Sequence, residues 1–166
     1  MADTSLNENR LALLIWQTSN LWQSKVRHKL KESQITLNEY LILETIYLLQ
    51  QKNINITQQD ICKNASIDKS VVSLRVSKQE EKNLILKQLP QDKRSDSLIL
   101  TTAGNDLINN IIDNIVDLEN ELFNKLGSEI FNFTNSLKLL LGKKIRNRPK
   151  LNDKSRISSI LKSLAF

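Results

Sequence analysis

A polar segment, Pro90-Gln91-Asp92-Lys93-Arg94-Ser95-Asp96, separates two short apolar runs at 84–89 and 98–100. Short apolar runs around a proline-led polar turn predict two strands, 84–89 and 97–101, joined by a loop at 90–96. The sequence before this hairpin reads as two short helices. Thr57-Gln58-Gln59-Asp60 is a helix start in which Thr57 caps free N–H groups and Asp60 stands three residues on, a variant of the usual capping-box Glu or Gln. That helix runs through Ile61 and Ala65 to a tight turn at Ser66-Ile67. Asp68 is placed to cap a second helix over about 68–82, its charge suiting the positive helix end. Asn83 is a fitting terminator, since Asn tolerates the left-handed conformation. Two helices of these lengths across a turn of three or four residues fit a helix-turn-helix, and the hairpin after them gives the layout of a winged helix-turn-helix.

Helix also accounts for the rest of the chain. Leu11, Leu14, Ile15, Thr18, Trp22, Val26 and Leu30 recur at three- and four-residue spacing and predict a helix over 6–31. A helix over about 37–50 has Tyr40, Leu41, Leu43, Ile46, Tyr47 and Leu49 on more than one side, the pattern of a helix buried among others. Residues 52–56 form a connector in which Ile54 and Ile56 suit one short strand. A long helix over about 102–126 is broken at Gly127-Ser128, and another follows over 129–142. Only three Gly and two Pro occur in 166 residues, which favours helix over long loops. The expected fold class is therefore mainly α with a small β-hairpin wing.

The formal net charge is +6, from 24 Lys+Arg against 18 Asp+Glu, and its distribution matters more than its size. Residues 138–166 carry nine basic groups against Asp153 alone, a local +8, whereas 104–137 carry −5 and 57–101 only +2. A basic balance favours an anionic partner, of which nucleic acid is the commonest. Cys62 is the single cysteine, so no intramolecular disulfide forms, in keeping with a reducing cytoplasm. No apolar run approaches the roughly 18–20 residues of a membrane span, and the first residues lack the basic-then-apolar pattern of a signal peptide. No glycine-rich phosphate loop, paired acid–base constellation or nucleophile motif is present, so catalysis is not expected. His28 has no second ligand at metal spacing, so neither a metal nor a cofactor is expected.

Thr57-Gln58-Gln59-Asp60-Ile61, then Asp68-Lys69-Ser70, Leu84-Ile85, and Leu89-Pro90…Asp92-Lys93-Arg94…Leu100-Thr101-Thr102-Ala103-Gly104, in this order and spacing, resemble the MarR family of winged-helix transcriptional regulators. The resemblance spans about 10–145. It implies a homodimer built on N- and C-terminal dimerisation helices (6–36 and 102–146), a DNA-binding winged lobe (37–101), and a basic extension (147–166) beyond the usual family end. It implies a pseudo-palindromic double-stranded operator, regulation that is expected to be repression, and a small aromatic or anionic effector that lowers DNA affinity. The dimer interface is expected to include Leu11, Leu14, Ile15, Ile130, Phe131, Leu137 and Leu140. An effector pocket would involve Trp22, His28 and Tyr40, although aromatic residues at helical spacing are more often plain core.

The second motif helix presents short polar and basic side chains to base edges and phosphates. Lys69, Ser70, Ser73, Ser77 and Lys78 lie on a common side, and Thr57, Val71, Leu74 and Arg75 complete the expected DNA-binding set on the helices. Serines read bases loosely, so specificity is expected from Arg75, from a methyl contact by Val71 or Leu74, or from DNA shape. Three positions of this helix depart from the family pattern, and Ser66 stands where a Gly is common in the turn before it. A basic residue is usual at Leu74, an apolar one at Arg75, and an apolar one at Gln79, which leaves Val72 and Val76 as the main core contacts. In the wing, Lys93 and Arg94 are expected at the DNA, with Arg94 suited to a narrow electronegative minor groove and Asp92 ordering the loop. The basic tail either tracks the phosphate backbone or folds back on the acidic 104–137 helix, and the second is favoured by adjacent opposite charge. Cys62 is expected to be a small core hydrophobe. The competing class is a degenerate winged-helix module that bridges DNA or binds protein without reading bases.

Overall fold

The computed structural model describes residues 10–52, 55–88 and 97–145. These divide into two compact units after Ile115. The first contains α1 (Leu11–Leu30), α2 (Leu37–Gln50), α3 (Gln58–Ala65), α4 (Lys69–Glu81), β1 (Ile85–Gln88), β2 (Ser97–Leu100) and the start of α5 (Thr102–Phe123). The second contains the end of α5 and α6 (Ile130–Leu140). The mainly helical class with a two-stranded hairpin is as expected.

Each boundary in the first unit has a local cause. At α2, Thr36 N–H donates to Glu39 Oε2 at 2.7 Å while Glu39 N–H donates to Thr36 Oγ1 at 3.4 Å, a reciprocal cap. Thr57 and Asp60 repeat the device at α3, with 2.9 Å and 3.2 Å bonds. Such a cap satisfies two N–H groups that the helix itself leaves free. Ser66 ends α3 in the left-handed region at φ 54°. Asp68 is the residue before α4, but its side chain makes no capping hydrogen bond, which corrects the expectation that it caps through its carboxylate. Beyond α4, Asn83 takes φ 56°, Leu84 N–H donates to Gln79 O and Asn83 N–H to Glu80 O, both at 2.9 Å. This paired arrangement satisfies the last carbonyls of α4 and turns the chain into β1.

α2 is buried on most of its circumference at Leu37, Tyr40, Ile42, Leu43 and Ile46, as its wide apolar pattern predicted. It packs against α3, α4 and β2. β1 and β2 pair antiparallel from Ile85 opposite Leu100 to Gln88 opposite Ser97. On the other side of β2, Leu98 N–H donates to Ile56 O at 2.8 Å and Leu100 N–H to Gln50 Oε1 at 3.2 Å. Ile56 thus adds one backbone bond to the sheet edge rather than a strand, and Ile54 lies outside the described residues.

Thr101 joins hairpin to α5. Its hydroxyl accepts from Gly104 N–H at 3.0 Å and donates to Asn83 O at 2.7 Å. Gly104 is buried against the end of α4's terminator: a Cβ there would stand 2.1 Å from Leu84 O. Only glycine permits this approach of helix to carbonyl. Ile108, Ile111 and Ile115 form the buried stripe of α5.

In the second unit, Gly127 adopts φ 51°, ψ −125° within the 3₁₀ stretch Asn124–Glu129 and breaks the path from α5 to α6, as the sequence suggested. α6 has no buried residue. A cleft of about 310 Å³ is lined by Val116, Phe123, Ile130, Phe133 and Leu137, with Glu119, Lys138 and Lys143 among the polar residues on it.

Candidate nucleic-acid interface

α4 divides into two faces. Val72, Val76 and Gln79 are fully buried at positions one helical turn apart. Opposite them, Lys69, Ser70, Ser73, Leu74, Ser77 and Lys78 are all exposed and follow one another at one-, three- and four-residue steps. Such residues share one side of a helix. Six of the residues expected at DNA are therefore brought into one row. Val71 is half-buried at its edge. Thr57 is half-buried, and its hydroxyl donates to Asp60 Oδ2 at 2.7 Å, so its proton is committed to the α3 cap.

Arg75 is placed differently from the row. Its Nη1 lies 3.7 Å from Glu39 Oε1, and its side chain retains 27% of its exposure. Lys82 Nζ reaches the same oxygen at 3.7 Å. Gln79 Nε2 donates to the backbone carbonyl of Glu39 at 2.8 Å. The two positions at which the sequence departs toward polarity, 75 and 79, thus converge on one α2 residue. Arg75, expected among the base-reading residues, thus stands beside a buried carboxylate, 3% exposed, at the α2–α4 contact. Arg75 Nε and Gln79 Oε1 are buried with no hydrogen-bond partner among the described residues.

Burial is the largest single influence on Glu39 and raises its pKa. The backbone and side-chain hydrogen bonds from Thr36, with Lys82 and Arg75, together outweigh it and hold the carboxyl below its ordinary value. Asp60 is also lowered, chiefly by the Thr57 hydroxyl and then by the Thr57 N–H. Both caps are therefore ionised at neutral pH.

Glu39 and Gln79 were not among the residues singled out as a pair by sequence. The signal for Glu39 was its position three residues after Thr36, and for Gln79 its polarity where the pattern asks for an apolar side chain. On the hairpin, Lys87 pairs with Glu80 of α4 and links β1 to that helix. Asp92, Lys93 and Arg94 lie outside the described residues, as does the basic extension.

The expected dimer residues Leu11, Leu14 and Ile15 of α1 are exposed, together with Trp16 and Leu21. In the second unit Leu140 is 67% exposed beside Leu139 and Leu141, while Ile130, Phe131 and Leu137 are half-buried. Of the expected effector residues, Tyr40 is buried with its hydroxyl donating to Glu44 Oε1 at 2.8 Å, Trp22 is half-buried and His28 is exposed. Cys62 is a free, half-buried thiol, with Ile61 beside it filling the core. Among the described residues no His, Cys, Asp and Glu cluster could hold a metal, and no helix is long and apolar enough to cross a membrane.

No family model matches the chain. A curated relative, the HTH-type transcriptional regulator YdcH of Bacillus subtilis, is 28% identical over 129 residues, covering 77% of this chain and 87% of the relative. The MepR–DNA complex of Staphylococcus aureus superposes with a TM-score of 0.72 at 25% identity, covering 82% of this chain and 97% of MepR. The chain has the winged-helix fold of MarR-family regulators. CouR of Rhodococcus jostii RHA1, in complex with p-coumaroyl-CoA, shares the fold at a TM-score of 0.72 with 15% identity, over 84% of this chain and 97% of CouR. The relatives that this chain resembles are transcription regulators.

Proposed function

We propose that the protein is a homodimeric, sequence-specific transcriptional repressor that occupies a pseudo-palindromic operator and is released by a small ligand. The carrying observation is the exposed row on α4, from Lys69 through Ser73 and Leu74 to Lys78, opposite the buried Val72, Val76 and Gln79. A helix anchored on one face and offering short polar and basic groups on the other suits the major groove. MepR, similar over 97% of its length, is bound to DNA.

The dimer reading rests on the large apolar side chains left exposed on the first half of α1 and on α6. Burying one such leucine contributes about 1.5–3 kcal/mol, so two copies gain by covering these faces. A small aromatic or anionic effector is supported by the p-coumaroyl-CoA complex of the fold relative CouR. Trp22, His28 and Tyr40 remain the residues proposed to sense it. Lys93 and Arg94 are proposed as wing contacts, with Asp92 ordering them. Action on DNA in this way places the protein in the cytoplasm.

Selection of bound duplexes from a random pool at moderate salt tests the reading. It predicts one enriched inverted repeat, bound in preference to bulk DNA by a dimer. Recovery of unrelated duplexes with equal affinity would support the alternative, a bridging or interaction module that does not read bases.

A further inference from the structure

We propose that Leu74 determines specificity by reading the 5-methyl group of a thymine in the major groove. The inference rests on the DNA-binding reading above and names what that surface recognises. Leu74 is 55% exposed, the large apolar side chain in a row whose other exposed members are serines and lysines. It stands one helical turn from Ser70 and from Lys78, with Ser73 before it and Ser77 one turn on. It therefore occupies the middle of the row.

The neighbours limit what else can supply specificity. Bidentate base recognition on such helices usually comes from Arg, Asn or Gln. Arg75 is engaged by Glu39 at 3.7 Å and Gln79 is fully buried, so both α4 side chains of that class face α2. The serines are short and each offers one hydroxyl that serves either base-pair orientation. Leucine has no donor or acceptor. The apolar feature that a base pair displays in the major groove is the thymine methyl, which uracil and cytosine lack. An exposed leucine at the centre of this surface is matched by that group and is penalised opposite the polar edge of a G·C pair.

Replacing each thymine of the enriched duplex in turn by deoxyuridine removes one methyl group and nothing else. The wild-type protein is expected to bind about fourfold more weakly, the effect of one buried methyl, for substitution at one position of each half-site. Leu74→Ala is expected to bind the thymine and deoxyuridine duplexes equally, and Leu74→Met to restore the preference. Because residue 74 is exposed, both variants should melt near the wild type. A duplex bound tightly but insensitive to deoxyuridine at every position overturns the inference and leaves DNA binding standing. Persistence of the same deoxyuridine effect in Leu74→Ala does likewise, assigning the methyl contact elsewhere. Failure to bind any duplex overturns the DNA-binding reading and this inference together.

Discussion

Glu39→Gln isolates the charge at the α2–α4 contact. Glutamine keeps an oxygen for the Thr36 N–H, so the helix cap survives in neutral form, while the anion facing Arg75 and Lys82 is lost. At 3.7 Å each pair has a gross attraction of about 4 kcal/mol at an effective dielectric near 20. Desolvation of the carboxylate already offsets much of that. Removing one partner of a fully buried pair costs about 3–5 kcal/mol. Here Arg75 keeps 27% and Lys82 49% of its exposure, so water screens the cations left behind. The expected loss is about 2 kcal/mol, or roughly 4–8 °C in Tm for a domain of this size. Thermal melts at fixed protein concentration measure it.

The pH dependence separates charge from shape. The folded carboxyl of Glu39 titrates below its ordinary value of 4.5. Its contribution is therefore complete above that value and is lost as pH falls through the lower folded pKa. The wild type should lead Glu39→Gln by the full margin at pH 7, and the margin should close on acidification. Asp60, also lowered, is common to both proteins and cancels in the comparison. A margin below about 0.5 kcal/mol at pH 7, or one unchanged by acid, refutes the reasoning, since substitutions without a lost buried interaction fall in that range.

Gly104→Ala should destabilise by about 1–3 kcal/mol, because the added carbon meets the Leu84 carbonyl at 2.1 Å and the backbone must shift; a denaturant melt as stable as wild type contradicts the close approach. Ser66→Gly should stabilise by about 0.5 kcal/mol, since φ 54° strains a residue with a Cβ; a loss of that size in the same melt contradicts the relief of strain. Lys78→Ala should weaken operator binding across sequences and lower the salt slope of log K by about 1 if Lys78 neutralises one phosphate. An unchanged slope removes Lys78 from the contact.

Much of the first unit was legible because its signals are local. Thr57 and Asp60 announce α3 through their spacing, Asn83 marks the end of α4, and the wide apolar pattern of α2 foretells its burial. Asp68 looked equally suited to cap α4, yet its side chain makes no such bond. What stayed hidden depends on partners distant in sequence. Gln79 and Arg75 stood out as departures from a pattern, but the residue that reconciles them lies some forty positions earlier. Gly104 read as part of a motif, while its reason, the Leu84 carbonyl against its Cα, exists only in the packed fold. Arg75, one of the residues expected to read bases, stands beside a carboxylate whose burial periodicity alone did not reveal.

The groove-entering role of α4 is tested most directly by dimethyl sulfate footprinting on the enriched duplex, which reports access to guanine N7 in the major groove. The account predicts two symmetric patches of N7 protection, centred about 10 base pairs or a multiple of that apart, both lost when Ser73→Glu places a negative charge in the middle of the exposed row. A bound duplex whose major-groove N7 atoms stay accessible, or protection that survives Ser73→Glu, would contradict it.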